Sequence, residues 1–234
     1  MSDRRSQQVG EDAREEVWNS ASTVRVLVAA SRRKADVWVA RTADGRTGVV
    51  KSFARKPWPI RLAGWLQISR EQRFLERLRS TRLAPRILAR PSRTTLVMEH
   101  LGGQPLIECT DPSTSRRMVG ELTRALEKIH HMGIVHLDLR GRENAQVRDD
   151  GTLVIIDWAS ALYLPPGSWR HRLLFALLKS VDESARIKWK QILAPDTLTA
   201  EERQYARRFH RWRRLWPFNR KGLGESVNML DRSR

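Results

Sequence analysis

The chain has 234 residues, 40% of them hydrophobic and nine of them tryptophan, enough to bury the core of one domain or of two tightly joined lobes but not that of a second, separate sensor domain. With 44 Lys and Arg against 26 Asp and Glu the formal charge is +18, so polyanions are the natural partners: nucleic acid, anionic lipid or a phosphorylated substrate. One cysteine, Cys109, excludes an internal disulfide framework, and the longest strongly apolar run, Leu173 to Leu178, is far short of the roughly 20 residues a spanning helix needs. The first 16 residues carry no apolar signal core, so a cytoplasmic protein is expected, either free or peripheral on the inner face of the membrane.

Residues 1–20 are charged, polar and aperiodic and read as an extension before the fold. From Val24 to Phe53 the pattern is β: TVRVLVAA, DVWVART and TGVVKSF, with Ala43-Asp44-Gly45 as the turn between the second and third runs. Pro57 and Pro59 punctuate the exit. The spacing then predicts a helix from Ile68 to Arg79 with Ile68, Phe74, Leu75 and Leu78 towards a core. RILARPSRTTLVMEHL supplies two more strands and ends at Gly102-Gly103. Beyond these glycines a helix is predicted over Ser113–His131, stopped by Gly133. HLDLRGREN reads as a loop, AQVRDDGTLVIIDW as a strand pair turned by Asp149-Asp150-Gly151, and the chain from Trp169 onward as helices with a break near Asp196.

Polar residues gather in that frame. Lys51 ends an apolar strand and Glu71 sits among hydrophobic neighbours on the next helix, a spacing that permits an ion pair between strand and helix; a lysine there can touch phosphate oxygens. His136-Leu137-Asp138-Leu139-Arg140 is followed by Asn144 and then by Asp157, which ends the apolar run LVII. A carboxylate in that position needs a cation or hydrogen-bond donors to offset desolvation, and magnesium, which favours hard oxygen ligands, is the cation that fits. Asp138 can accept the proton of an attacking hydroxyl, and Arg140 can balance charge near a transferred phosphoryl group.

Over roughly Val24 to Leu164 these residues resemble the protein-kinase-like superfamily, in particular small bacterial members near the lipopolysaccharide core kinases and the RIO-type serine/threonine kinases. The resemblance implies an α+β, two-lobed fold: a small antiparallel β-rich N-lobe with one helix over 21–101 and a mainly helical C-lobe over 102–218, with a basic polar tail over 219–234. It further implies ATP and Mg2+ as cofactors. Lys51 and Glu71 match the strand lysine and its helix partner, and Met98-Glu99-His100-Leu101 the hinge, so that Glu99 and Leu101 present backbone to adenine. His136 and Asp138 match the catalytic-loop histidine and base. Asn144 and Asp157 match the metal ligands, with Glu143 as a rival because one extra residue separates Asp138 from Asn144. Asp182 matches an aspartate that anchors the catalytic loop. The turn AASRRKADV stands where a glycine-rich loop is usual, so Arg32, Arg33 or Lys34 are expected to supply the phosphate donors. No Ala-Pro-Glu segment and no long activation loop follow Asp157.

The last helical stretch, EERQYARRFHRWRRLWPFNRKG, sets Tyr205, Phe209, Trp212 and Leu215 or Trp216 on one face and arginines on the rest, so it either packs on the C-lobe or lies on an anionic membrane; a nucleic-acid partner has no motif behind it. The function expected is transfer of the γ-phosphate of ATP to a hydroxyl, first of all a protein serine or threonine. The alternatives are a lipopolysaccharide core sugar at the cytoplasmic membrane face as acceptor, and a pseudokinase that binds nucleotide or partners without turnover.

Overall fold

A computed structural model describes residues 17–18, 20–28 and 32–214, with side chains as far as residue 208. Three expectations therefore lie outside the described residues: most of the polar extension, the turn residues 29–31, and the tail with the side chains of Phe209, Trp212, Leu215 and Trp216.

The N-lobe is a five-stranded antiparallel sheet in the order β1-β2-β3-β5-β4, formed by β1 (Ser22–Val28), β2 (Asp36–Arg41), β3 (Thr47–Ser52), β4 (Ile87–Ser92) and β5 (Thr95–Glu99). Pro91 is accommodated because β4 is an edge strand, where a missing N–H breaks no ladder. One face of the sheet packs a small cluster of Trp18, Ala40, Val50, Ala89 and Val97. Trp18, assigned from sequence to the polar extension, is thus buried. The opposite face packs against helix α1 (Trp58–Leu78), which buries Ile68, Glu71, Phe74, Leu75 and Leu78.

The start of α1 corrects the sequence reading, which began the helix at Ile68. Pro57 is its N-cap and Pro59 lies in its first turn, where proline is tolerated because those N–H groups have no intrahelical partner. The prolines open the helix; they do not separate it from the sheet.

Gly102 and Gly103 carry the chain out of the sheet with φ of 64° and 46°. A Cβ on Gly103 would lie 1.8 Å from the Val147 carbonyl oxygen, so only glycine permits the short strand β6 (Gln104–Pro105) to pair with β8 (Ala145–Val147). Helix α2 (Pro112–His131) follows, capped by the Asp111 carboxylate on the Thr114 N–H at 2.7 Å. Then come β7 (Ile134–Val135), the pair β8 and β9 (Leu153–Ile155), a 3-10 turn over Trp158–Ser160, and β10 (Leu162–Tyr163), which returns to β7. Helix α3 (Trp169–Leu193) packs on α2, and α4 (Ala200–Arg214) is tied to α3 by Glu202, which bridges Arg186 and Lys190. A single large core runs through both lobes, from Phe53, Ile68 and Leu96 to Met118, Leu122, Trp158 and Trp189.

The tightest point of the N-lobe core is Gly64 in α1, where a Cβ would lie 2.2 Å from Cγ of Phe53. Gly64→Ala should therefore cost about 1–3 kcal/mol by overpacking, measured by urea denaturation, and Phe53→Leu in the same chain should recover part of the loss.

Candidate active site

Three elements converge on Lys51. Its Nζ donates to Glu71 Oε2 at 2.8 Å and to Asp157 Oδ1 at 2.9 Å, which joins β3, α1 and the turn after β9 at one buried cation. β3 is buried on both faces at this point. Glu71 is fully enclosed by its helix and the sheet, while Asp157 remains partly open to the cleft between the lobes. Burial works against the Lys51 ammonium, but the Glu71 and Asp157 carboxylates outweigh it and push the group up to about 12. For Asp157 burial acts upward, and the charge and hydrogen bond of Lys51 hold the carboxyl below its ordinary range. Enclosure lifts Glu71, with Lys51 opposing. The ion pair predicted between strand and helix is present, and Asp157 shares it.

The loop between β7 and β8 is organised from beneath by α3. Asp182, fully buried, accepts the N–H of His136 and that of Leu137, both at 2.8 Å, and faces His130 Nε2 at 3.1 Å. Leu137 has a φ of 68°, an uncommon conformation for a leucine, and the two N–H bonds hold it there. The assignment of Asp182 as the loop's anchor thus has its hydrogen bonds on the structure. Trp189 Nε1 donates to Leu139 O at 3.0 Å and Lys188 Nζ to Arg140 O at 2.6 Å.

His136 Nδ1 accepts the Asp138 N–H at 3.3 Å, which leaves the proton on Nε2 to meet Ile156 O at 3.1 Å. Burial depresses its basicity, so a neutral imidazole links the loop to the residue before Asp157. The Trp158 ring meets it edge-on, with centroids 4.7 Å apart. His136 is a positioning residue here.

Asp138 is exposed at the mouth of the loop. Asn144 Nδ2 donates to its backbone oxygen at 2.8 Å and to its Oδ2 at 3.1 Å, and the Asn144 carbonyl accepts the Ile156 N–H at 2.9 Å. Asp138, Asn144 and Asp157 are thereby brought to one side of the cleft. Glu143 is exposed, and its backbone oxygen accepts from Gln146. Of the two rival ligands, Asn144 is the one joined to Asp138.

Arg140 departs from the sequence expectation. Its guanidinium donates through one nitrogen to the backbone and hydroxyl oxygens of Ser184 at 2.9 and 3.1 Å, which fastens the loop to α3, a contact sequence did not predict. Glu99 departs too. Its carboxylate binds Arg148 and the Arg86 N–H, locking the hinge to the β8–β9 turn, so only backbone here is presented to a base, and Leu101 is half-buried beside it. Arg32, Arg33 and Lys34 are exposed in the bend before β2.

The donor set fits magnesium. Asp157 binds Lys51 through Oδ1 and its side chain is partly open, and Asn144 engages Asp138 through its amide nitrogen, which leaves its amide oxygen as a hard donor; magnesium commonly takes one or two such protein oxygens and completes its shell with phosphates and water. Among the described residues no cluster of three or more His, Cys, Asp or Glu makes a dedicated metal cage. Residues that sequence reasoning missed are those under the loop. His130, Ser184, Lys188 and Trp189 act through tertiary contacts, and the one signal available was a polar Asp182 on a helix whose Ala185 and Trp189 are apolar at helical spacing.

The five-stranded sheet with one helix, a glycine hinge and a helical lobe beneath it define a protein-kinase-like fold. No protein-family model matches the chain, and no curated protein matches it. Among solved structures it is similar to Rio2 kinase from Chaetomium thermophilum. The ADP/Mg2+-phosphoaspartate complex matches at 15% identity with a TM-score of 0.59, over 86% of this chain and 64% of that one. Another structure of the same kinase matches at 15% identity and a TM-score of 0.54, over 88% and 76%. The chain thus spans less than two thirds of the first of these. The likeness is one of fold.

Asp182→Ala strips the acceptor from two backbone N–H groups and should destabilise the chain by about 2–5 kcal/mol in urea denaturation, with Asp182→Asn intermediate. Because the folded Lys51 value lies above the ordinary 10.5, its stabilisation is complete below pH 10.5 and is lost as pH rises towards 12. Between pH 9.5 and 11.5 wild type should therefore lose more stability than Lys51→Met, measured by denaturant midpoints at each pH.

Proposed function

We propose that the chain transfers the γ-phosphate of ATP to a hydroxyl acceptor. The observation that carries this is the cluster Glu71–Lys51–Asp157, whose Asp157 lies on the same side of the cleft as the bonded pair Asp138 and Asn144. Lys51, kept charged, is aimed at phosphate oxygens. Asn144 and Asp157 are the residues that would hold magnesium, which when bound neutralises the phosphates and aligns them. Asp138, exposed and oriented by Asn144, accepts the proton of the incoming hydroxyl, which becomes the nucleophile towards phosphorus; the bond from phosphorus to the bridging oxygen of ADP then breaks. His136, Arg140 and Asp182 hold the loop that carries the base. The similarity of fold to an enzyme solved with ADP and Mg2+ supports the same reading.

A serine or threonine of a protein is the proposed acceptor. Residues 159–180, which follow the candidate magnesium ligand Asp157, carry no carboxylate that would repel a phosphate-bearing or acidic acceptor. A sugar hydroxyl of a lipopolysaccharide core is the competing acceptor, and the formal charge of +18 suits its phosphates equally well.

The test is transfer of labelled γ-phosphate by purified protein to protein and lipopolysaccharide acceptors in parallel, with release of ADP as a second readout. Asp138→Ala and Asp157→Ala should each lose at least about a hundredfold in turnover, the scale expected for a general base or a charge-stabilising group. Wild type that binds nucleotide but is as inactive as both folded variants on every acceptor would leave a pseudokinase.

A further inference from the structure

No helix among the described residues is long and apolar enough to cross a membrane, yet two helices expose apolar side chains that no other described residue covers. On the first half of α1 these are Trp58 (72% exposed), Leu62, Trp65 and Leu66. Positions 58, 62 and 66 advance only about 40° per step around the helix, and 65 falls within the same stripe. On the first half of α3 they are Trp169 (64% exposed), Leu173 (68% exposed), Leu174 and Leu177, with 169, 173 and 177 in the same four-residue progression.

The two helices that carry the stripes both adjoin β10. Arg70, one turn on from Leu66, donates to Ala161 O at 2.6 Å, and Arg77 lies 3.6 Å over the Tyr163 ring. Tyr163 belongs to β10, whose only connection to Trp169 is the short Leu164–Ser168 segment.

Charge distinguishes the occupant. Residues 54–70 contain four Arg or Lys and no Asp or Glu; residues 165–181 contain three and none. Lys56 and Arg70 are held by Asp36 and by backbone carbonyls, while Arg55, Arg61, Arg170 and Arg172 are exposed beside the stripes. Tryptophan and leucine flanked by cations without carboxylates is the composition of a surface that lies at the headgroup level of an anionic bilayer. A second copy of the chain would bring another +18 against the same patch, and charge repulsion opposes that pairing.

We infer that the first halves of α1 and α3 together form a seat for an anionic lipid surface, with Trp58 and Trp169 as its interfacial anchors. The seat lies on the folded domain, on elements distinct from the carboxyl-terminal stretch where the sequence suggested membrane contact. It does not depend on phosphotransfer.

The test is sedimentation of the full chain with vesicles of phosphatidylcholine alone or with one third phosphatidylglycerol. Wild type should bind the anionic vesicles and be weakened by salt. Leu62→Ser with Leu66→Ser, and separately Leu173→Ser with Leu177→Ser, should each reduce binding at least tenfold, with thermal unfolding confirming the fold. Because these sites are exposed, Leu→Ile at the same four positions should bind as wild type does. Nucleotide binding serves as an independent check that the cleft is intact in every variant. Absence of wild-type binding overturns the inference, and so does binding that survives in either serine pair, which would assign attraction to basic residues elsewhere. A wild-type dimer that the serine pairs dissolve, without vesicle binding, also overturns it in favour of a second copy.

Discussion

A lysine ammonium in the interior has to be matched by carboxylates, and Lys51 is matched by two that come from different lobes. Burying a charge without a partner costs several kcal/mol, so the position of this one nitrogen constrains much else. Glu71 must face the sheet, which sets the rotation of α1 and with it the inward row Ile68, Phe74, Leu75 and Leu78. Asp157 must reach up from the C-lobe, which it does in a left-handed conformation with φ of 60°. The cleft between the lobes is thereby defined by electrostatics as much as by packing.

The second such constraint is Asp182. A carboxylate with no solvent contact is satisfied by donors from the catalytic loop and from His130, and in return it holds Leu137 in a conformation that leucine rarely adopts. Strain of this kind costs of order 1–3 kcal/mol per residue and persists only where surroundings over-determine it. Here Arg140, Lys188 and Trp189 supply the surroundings, all between the loop and one stretch of α3. The exposed carboxylate of Asp138 rests on a rigid foundation.

The same helix has two halves of different character. From Asp182 onward α3 is buried and organises the loop; from Trp169 to Leu177 it exposes apolar side chains to water. Only a short segment separates Asp157 from Trp169, so the surface beside the cleft is formed by helices and not by a long mobile loop. An acceptor embedded in, or attached to, a lipid surface would meet the cleft at this edge.

Much of this was legible in the chain. Alternation in VRVLV and VWVA, the Asp-Gly turns, the glycine pair at the hinge and the three-four spacing of Met118, Leu122 and Ile129 are local signals, and each became the element it implied. Lys51, Glu71, Asp138, Asn144 and Asp157 stood out because charged or polar groups beside apolar runs are costly, and the structure gathers them around one cleft. The start of α1 was misread because proline is ambiguous: it breaks a helix interior yet opens a first turn. Sequence shows a charge but not its direction: the Arg140 side chain reaches Ser184, and the Glu99 side chain, in a hinge expected to offer its backbone, binds Arg148. His130, Ser184 and Trp189 carried no signal at all, since their function is to touch residues some 50 positions away. What the amino-acid sequence determined by itself was the order of elements and the residue types of the site, because both follow from local periodicity and from the cost of burying charge. Which partner each charge found, and which apolar side chains stayed in water, was decided only when the two lobes and α3 packed together.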